Sequence, residues 1–213
     1  SLPLNYSSSI FIRYDEENLQ KIKVLIIGPE DTPYENGCFL FDIYIPENYP
    51  DVPPLVNLET TGNRTVRFNP NLYNTGKVCL SLLGTWSGNA GEKWNKDTST
   101  LLQVLVSIQS LIFVENPYFN EPGYEKGIHT TKGKISNFKY NDLIRYETIR
   151  WGIIDMLNNT PKEFEEVIKI HFSKKKDEIL TCVNKWYSET QINKVRFNEE
   201  KKKLKLALAE VYI

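Results

Sequence analysis

A chain of 213 residues with 40% hydrophobic content can build one sizeable core plus a helical extension. A net charge of −1, with no segment interleaving Lys or Arg with stacking aromatics, gives no general attraction to phosphate backbones, so nucleic acid is not an expected partner. Three cysteines without a Cys-x-x-Cys pair, and two scattered histidines, His129 and His171, argue against a disulfide framework and against a metal site.

The chain opens at Ser1-Leu2-Pro3 without an initiator Met, as expected of a piece cut from a longer protein. It has no basic-apolar signal and no apolar run of about 18 residues, which predicts neither export nor membrane insertion. The odd thiol count suits a reducing, cytoplasmic setting. Four β-branched or aromatic runs follow, at residues 10–13, 22–27, 38–45 and 55–58, punctuated by Gly28-Pro29, Asn36-Gly37 and Tyr49-Pro50. They predict an antiparallel meander, with Gly37 supplying the positive φ of one turn. Residues 53–94 are loop-rich, and a loop that long in a compact domain is more often functional than idle. The cluster Asp97-Thr98-Ser99-Thr100 caps a helix whose stripe, read as core, is Leu101, Leu102, Leu105, Ile108, Leu111 and Ile112. Further helices are expected over 141–157, 161–187 and 198–212, with Thr160-Pro161 as a cap-then-proline start. The run Lys201-Lys202-Lys203 reads as a solvated helix face. The expected fold is α/β (α+β): a four-stranded meander packed on helices, divided into a core at 1–158 and a helical C-terminal extension at 159–213.

The chemistry concentrates at Asn69-Pro70-Asn71 and, eight residues on, Cys79 within Gly76-Lys77-Val78-Cys79-Leu80-Ser81. A thiol can hold an acyl group as a thioester, and an amide NH₂ can stabilise the oxyanion formed when an amine attacks. The spacing therefore points to carbonyl transfer. Neither histidine lies near Cys79 in sequence, so a Cys-His hydrolase is the weaker reading. A thiol needs no dedicated base to accept an acyl group from another thioester; Cys79 is expected to need exposure more than activation. Cys38 sits in a strand pattern and Cys182 among helical apolar residues, and both read as packing.

These segments, with Gly28-Pro29-Glu30-Asp31-Thr32-Pro33-Tyr34, Arg67-Phe68-Asn69-Pro70-Asn71 and Glu115-Asn116-Pro117-Tyr118-Phe119-Asn120-Glu121-Pro122-Gly123-Tyr124, resemble ubiquitin-conjugating enzymes over roughly residues 10–155. The nearest resemblance is to the Apollon-type branch of giant BIR-domain proteins, and Phe164 to Phe172 matches that branch more weakly. The resemblance implies that Cys79 accepts ubiquitin, or a ubiquitin-like modifier, from an activating enzyme and passes it to a substrate lysine. ATP is then spent upstream, and this chain needs no cofactor or metal. The rival reading is a non-catalytic conjugating-like module or scaffold, against which the presence of Cys79 and Asn71 argues.

By the same resemblance Asn71 donates to the oxyanion or braces the cysteine loop, and Pro70 stiffens its approach. Asn69 replaces the family's usual His and keeps a structural role. Glu121, with Asn120 beside it, matches the acid that orients the incoming lysine. Tyr118 and Phe119 either wall the acceptor channel or pack the loop, and Trp94 matches the tryptophan before the helix. The chain departs from the pattern where Thr85 to Glu92 lengthens the segment after Cys79, where Asn95-Lys96-Asp97 replaces Ser-Pro-Ala, and where Asp51 replaces an apolar residue. The last two lie on the usual docking patch for separate ligases. Ligase domains in the same parent chain would remove the need for that patch.

Overall fold

The computed structural model describes residues 9–211, so the opening Ser1-Leu2-Pro3 and Tyr212, expected to end the last helix, lie outside the described residues. Strands β1 (Ile10–Tyr14), β2 (Lys21–Ile27), β3 (Cys38–Tyr44) and β4 (Leu55–Leu58) form one antiparallel sheet in the order β1-β2-β3-β4. The expected meander is therefore present. Its register pairs Ile10 with Ile26, Leu25 with Leu40 and Ile43 with Val56.

The two-residue period sends successive side chains to opposite faces. On one face Val24, Ile26, Phe39, Phe41 and Ile43 share a core with Val104, Leu105 and Ile108. The last three come from α1 (Leu101–Ser107) and the π-helical turn, Ile108–Ile112, that prolongs it. On the other face Leu25, Ile27, Cys38 and Leu40 pack with Ile149, Phe172, Ile179 and Phe197. Those residues belong to α2 (Thr131–Glu147) with its π-helical continuation Thr148–Asp155, to α3 (Glu165–Glu189) and to α4 (Lys194–Ala209). The C-terminal helices thus complete a core that the sheet begins. Cys38 is fully buried, and burial pushes its thiol pKa well up.

Five local expectations change. Leu102 and Leu111 of the expected core stripe are exposed. Thr160 turns its Oγ1 back to Met156 O at 2.8 Å and Leu157 O at 3.1 Å rather than capping a new helix, and α3 starts at Glu165 with no side-chain cap. In the turn before β3 the positive φ, 61°, belongs to Asn36 rather than to Gly37. Gly37 is needed for close approach instead, because a Cβ there would lie 2.8 Å from Thr148 Cγ2. The second helix starts at Thr131, ten residues before the expected Asn141, with Thr130 accepting from the Gly133 N–H as its N-cap. Its first turns carry Lys, Gly, Ser and Asn around an exposed Ile135, so no apolar stripe announces them. The last helix starts at Lys194 rather than Asn198, capped by Asn193, whose Oδ1 accepts from Val195 N at 2.9 Å. Within the expected capping cluster Thr100 is the N-cap, in a capping box the sequence reading did not name: Gln103 Oε1 accepts from Thr100 N at 2.8 Å and Thr100 Oγ1 accepts from Gln103 N at 3.3 Å.

One buried carboxylate ties the C-terminal helices to α2. Asp142, 3% exposed, accepts from Thr190 Oγ1 at 2.6 Å, Gln191 N at 2.8 Å and Ile192 N at 3.1 Å, all in the α3–α4 turn. Asp142→Ala should lower unfolding free energy by about 3 kcal/mol, since one buried donor and two part-buried ones lose a charged acceptor. Asp42→Ala, which breaks the half-exposed Lys23 pair at 3.0 Å, should cost about 1 kcal/mol or less. Urea denaturation of the two variants checks the contrast; equal losses would remove Asp142 from this role.

Candidate active site

The segment from Asn69 to Cys79 folds back on itself as a narrow ribbon. Leu72 N donates to Asn69 O at 2.9 Å, Tyr73 N to Lys77 O at 3.0 Å and Gly76 N to Tyr73 O at 3.0 Å. Gly76 makes the reversal possible, because its φ is 94° and a Cβ there would lie 2.2 Å from Asn57 Oδ1. Folding brings the ends of the motif together. Cys79 N donates to Asn71 O at 2.9 Å, and Asn71 Nδ2 donates to Cys79 O at 2.8 Å.

Asn69 anchors this ribbon from inside the protein. Its side chain is fully buried and makes four hydrogen bonds: Nδ2 donates to Tyr34 Oη at 3.1 Å and to Ile112 O at 2.8 Å, while Oδ1 accepts from Asn71 N at 2.8 Å and Asn120 Nδ2 at 3.3 Å. Tyr34 in turn donates to Phe68 O at 2.8 Å. Arg67 holds the same stretch from outside, its guanidinium donating to Pro70 O at 2.6 Å and lying 4.4 Å over the Tyr73 ring.

Cys79 lies at a cleft of about 710 Å³ whose walls include Asn71, Ser81, Trp86, Leu111 and Asn120. The thiol is more recessed than expected, with the residue only 2% exposed. Burial pushes its pKa above the ordinary thiol range, while the charges of Lys77 and Arg67 pull it back part of the way. Neither histidine lines the cleft. His171 is held on the far side of the molecule's sheet, 3.0 Å from Asn36 O, with its pKa lowered by burial.

The expected site residues divide. Asn69, Pro70, Asn71, Cys79 and Asn120 come together, and Asn120 Nδ2 also donates to Leu111 O at 2.9 Å. Glu121 does not line the Cys79 cleft: its carboxylate pairs with Arg67 at 3.3 Å beside a separate groove that includes Tyr140 and Leu143. Tyr118 packs against Phe119, Tyr124 and Tyr140 at centroid distances of 5.3, 4.8 and 6.1 Å, away from the cleft walls. Trp94 donates from Nε1 to Pro50 O at 2.7 Å and packs on Tyr49. Beside it the two departures on the docking patch meet, Lys96 Nζ lying 3.0 Å from Asp51 Oδ1.

Two contributors escape sequence reading. Tyr34 supports Asn69 from 35 positions away, and Thr85 brackets the nucleophile candidate. Thr85 Oγ1 accepts from Leu80 N at 3.0 Å and donates to Val78 O at 2.7 Å, clasping both neighbours of Cys79. The only sequence signal for Thr85 is its place in the lengthened segment; Trp86, next to it, becomes a cleft wall.

With this geometry in hand, comparison with known proteins is direct. A family model described as ubiquitin-conjugating enzyme matches residues 4–146. The human protein BIRC6, named a dual E2 ubiquitin-conjugating enzyme/E3 ubiquitin-protein ligase, is 56% identical over 191 residues, covering 90% of this chain and 4% of BIRC6. A probable ubiquitin-conjugating enzyme of Caenorhabditis elegans, protein 17, is 52% identical over 186 residues, covering 87% of this chain and 25% of that protein. The probable ubiquitin-conjugating enzyme E2 R521 of Acanthamoeba polyphaga mimivirus is 48% identical over 193 residues, covering 91% of this chain and 13% of that protein. The chain therefore spans a quarter or less of each of these relatives. By the family match and these identities, the chain belongs to the ubiquitin-conjugating enzymes.

Proposed function

We propose that this chain accepts ubiquitin, or a ubiquitin-like modifier, from an activating enzyme as a thioester on Cys79 and transfers it to a substrate lysine. The observation that carries this reading is the thiol at an open cleft, held through its own backbone by Asn71. In loading, the Cys79 sulfur loses its proton to solvent and attacks the thioester carbonyl, and the activating enzyme's thiolate leaves. In transfer, a neutral lysine amine attacks the Cys79 thioester, an oxyanion forms, and collapse gives an amide as the nitrogen gives up its proton to solvent and Cys79 leaves as thiolate. This chemistry asks for no metal or small-molecule cofactor from the chain, with ATP spent at activation.

Asn71 is assigned two duties, because its amide nitrogen carries two N–H groups and one already holds Cys79 O. The other is available to an oxyanion. Glu121 is assigned to orient the lysine, exchanging Arg67 for the incoming ammonium; its support is chain adjacency to Asn120, which lines the cleft. The exposed Asp51–Lys96 pair puts charge where separate ligases would seek an apolar anchor. Together with the dual name carried by BIRC6, this supports ligase domains in the same parent chain. Among the described residues no helix is long and apolar enough to cross a membrane, and we assign the activity to the cytoplasm.

Incubation with activating enzyme, ATP and ubiquitin, followed by non-reducing gels, tests the assignment. A reductant-sensitive adduct should form, vanish in Cys79→Ala and persist in Cys182→Ala. An adduct that survives Cys79→Ala would move the site elsewhere.

Because burial raises the Cys79 pKa, iodoacetamide labelling of Cys79, followed by peptide mass spectrometry, should reach half-maximal rate at a higher pH than a free cysteine peptide. Removing an attracting cation disfavours the thiolate further, so Lys77→Ala should shift that midpoint upward again. A downward shift would contradict the electrostatic account.

Discharge kinetics separate Asn71 from Glu121. Both alanine variants should load. Asn71→Ala should discharge about 10²–10³-fold more slowly to lysine and to hydroxylamine alike, the usual effect of losing an oxyanion donor. Glu121→Ala should slow the lysine reaction selectively, since a small neutral nucleophile needs no positioning. Single-turnover assays decide; equal effects on both acceptors would make Glu121 a loop residue.

A further inference from the structure

Cys79 sits between two trans peptide groups, each with its C=O and its N–H on opposite edges. The group before it offers Val78 O and Cys79 N–H; the group after it offers Cys79 O and Leu80 N–H. All four are engaged. Asn71 takes one edge of each group, its O accepting from Cys79 N at 2.9 Å and its Nδ2 donating to Cys79 O at 2.8 Å. Thr85 takes the other edge of each, its Oγ1 donating to Val78 O at 2.7 Å and accepting from Leu80 N at 3.0 Å. The hydroxyl has a single proton, and Val78 O takes it as the nearer carbonyl, Leu80 O lying at 3.3 Å. One asparagine and one threonine therefore hold both planes from both sides.

The segment after Cys79 returns Thr85 to this place. A 3₁₀ turn at Ser81–Leu83 ends at Gly84, whose φ of 67° reverses the chain, with Gly84 N donating to Ser81 O at 2.9 Å and Thr85 N to Leu80 O at 3.3 Å. Buried Leu83 anchors that turn in the core. Beyond Thr85 the segment lies so close to Ser81 that a Cβ at Gly88 would come within 2.2 Å of Ser81 Oγ. Thr85 is not a wall of the Cys79 cleft, so it acts on the cysteine without touching what the cleft receives.

Rotations of the two planes about the Cys79 Cα are the φ and ψ of that residue, the only soft torsions of its backbone. Pinning both planes fixes the direction of the Cα–Cβ bond. Asn71 alone would leave each plane held at one edge and free to tilt about that bond. We infer that Thr85 is a positioning residue for transfer from Cys79, the counterpart of Asn71 that aims the thioester carbonyl at its oxyanion donor. The inference rests on the thioester reading of Cys79, because the acyl carbonyl is then bonded to the sulfur and its place follows from the direction of the side chain.

The test pairs Thr85→Val, which keeps the shape and removes the hydroxyl, with Thr85→Ser, which keeps the hydroxyl. Each variant is loaded with ubiquitin, and single-turnover discharge to lysine and to hydroxylamine is followed. Thr85→Val should slow both reactions by the same factor, about tenfold, less than the roughly 10²-fold of a 1 Å misplacement because Asn71 still holds one edge of each plane. Thr85→Ser should discharge within about threefold of the unaltered chain, the hydroxyl being the group that acts. NMR of the unloaded chain adds a readout that needs no modifier. In Thr85→Val the Leu80 amide should exchange faster and the Cys79 HN–Hα coupling, which reports φ, should move, while amides of β2 and β3 keep their protection and so exclude unfolding. An unaltered chain that forms no thioester would overturn the reading beneath the inference. If the unaltered chain loads, the role of Thr85 alone would be overturned by Thr85→Val discharging at the full rate, or by Thr85→Ser discharging as slowly as Thr85→Val.

Discussion

Everything at the Cys79 cleft depends on one buried amide. Asn69 has no contact with solvent, yet it joins four parts of the chain: the Tyr34 loop, the π-helical end of α1 through Ile112, the Asn71 backbone and Asn120. A buried amide left short of partners costs about 1–3 kcal/mol for each group exposed to nothing, so these four segments hold one another in a single arrangement. From that fixed point the ribbon runs through Gly76 to Cys79, and Asn71 closes it from both its oxygen and its side chain. Thr85 then clasps the residues either side. The residue is positioned by backbone bonds, and among the described residues no hydrogen bond to its sulfur would have to break in the proposed loading step.

The sheet supplies the frame. Its centre is covered on both faces, by α1 on one and by α2, α3 and α4 on the other. Burying Leu25, Ile27, Cys38 and Leu40 beneath the C-terminal helices gives strands that are apolar on both sides, and the near-continuous run Val24 to Ile27 reflects this. Asp142 fixes the turn between the last two helices, so the second face closes at a defined position.

The four strands were legible to within a residue at each end because alternation, turn residues and β-branched content agree there. The start of α2 was not. A helix beginning Thr131-Lys132-Gly133-Lys134 shows no apolar stripe, and Gly133 is there because a Cβ would lie 2.0 Å from Gly127 O, a contact between turns that no local pattern records. At the site, Cys79 and Asn71 could be paired from spacing, but Asn69 could be read only as a local hydrogen-bonding residue. Its partners lie 35, 43 and 51 positions away. Glu121 shows the limit most plainly. Adjacent residues diverge in the turn after Pro117, and side-chain direction follows the backbone: Asn120 faces the cleft while Glu121 reaches Arg67. Likewise Asp51 and Lys96, flagged separately as departures, turn out to be one ion pair across 45 positions.

The central claim is that the hydrogen bonds of the Asn69 amide anchor the ribbon that places Cys79 for the proposed acyl transfer. Asn69→Leu keeps the volume and removes every bond, so single-turnover loading of ubiquitin onto Cys79 in this variant is the most direct measurement. The account expects loading to slow at least about tenfold, as misplacement of a reacting group by about 1 Å does, while far-ultraviolet circular dichroism shows the sheet and helices intact. Loading at the unaltered rate in a folded Asn69→Leu chain would contradict it.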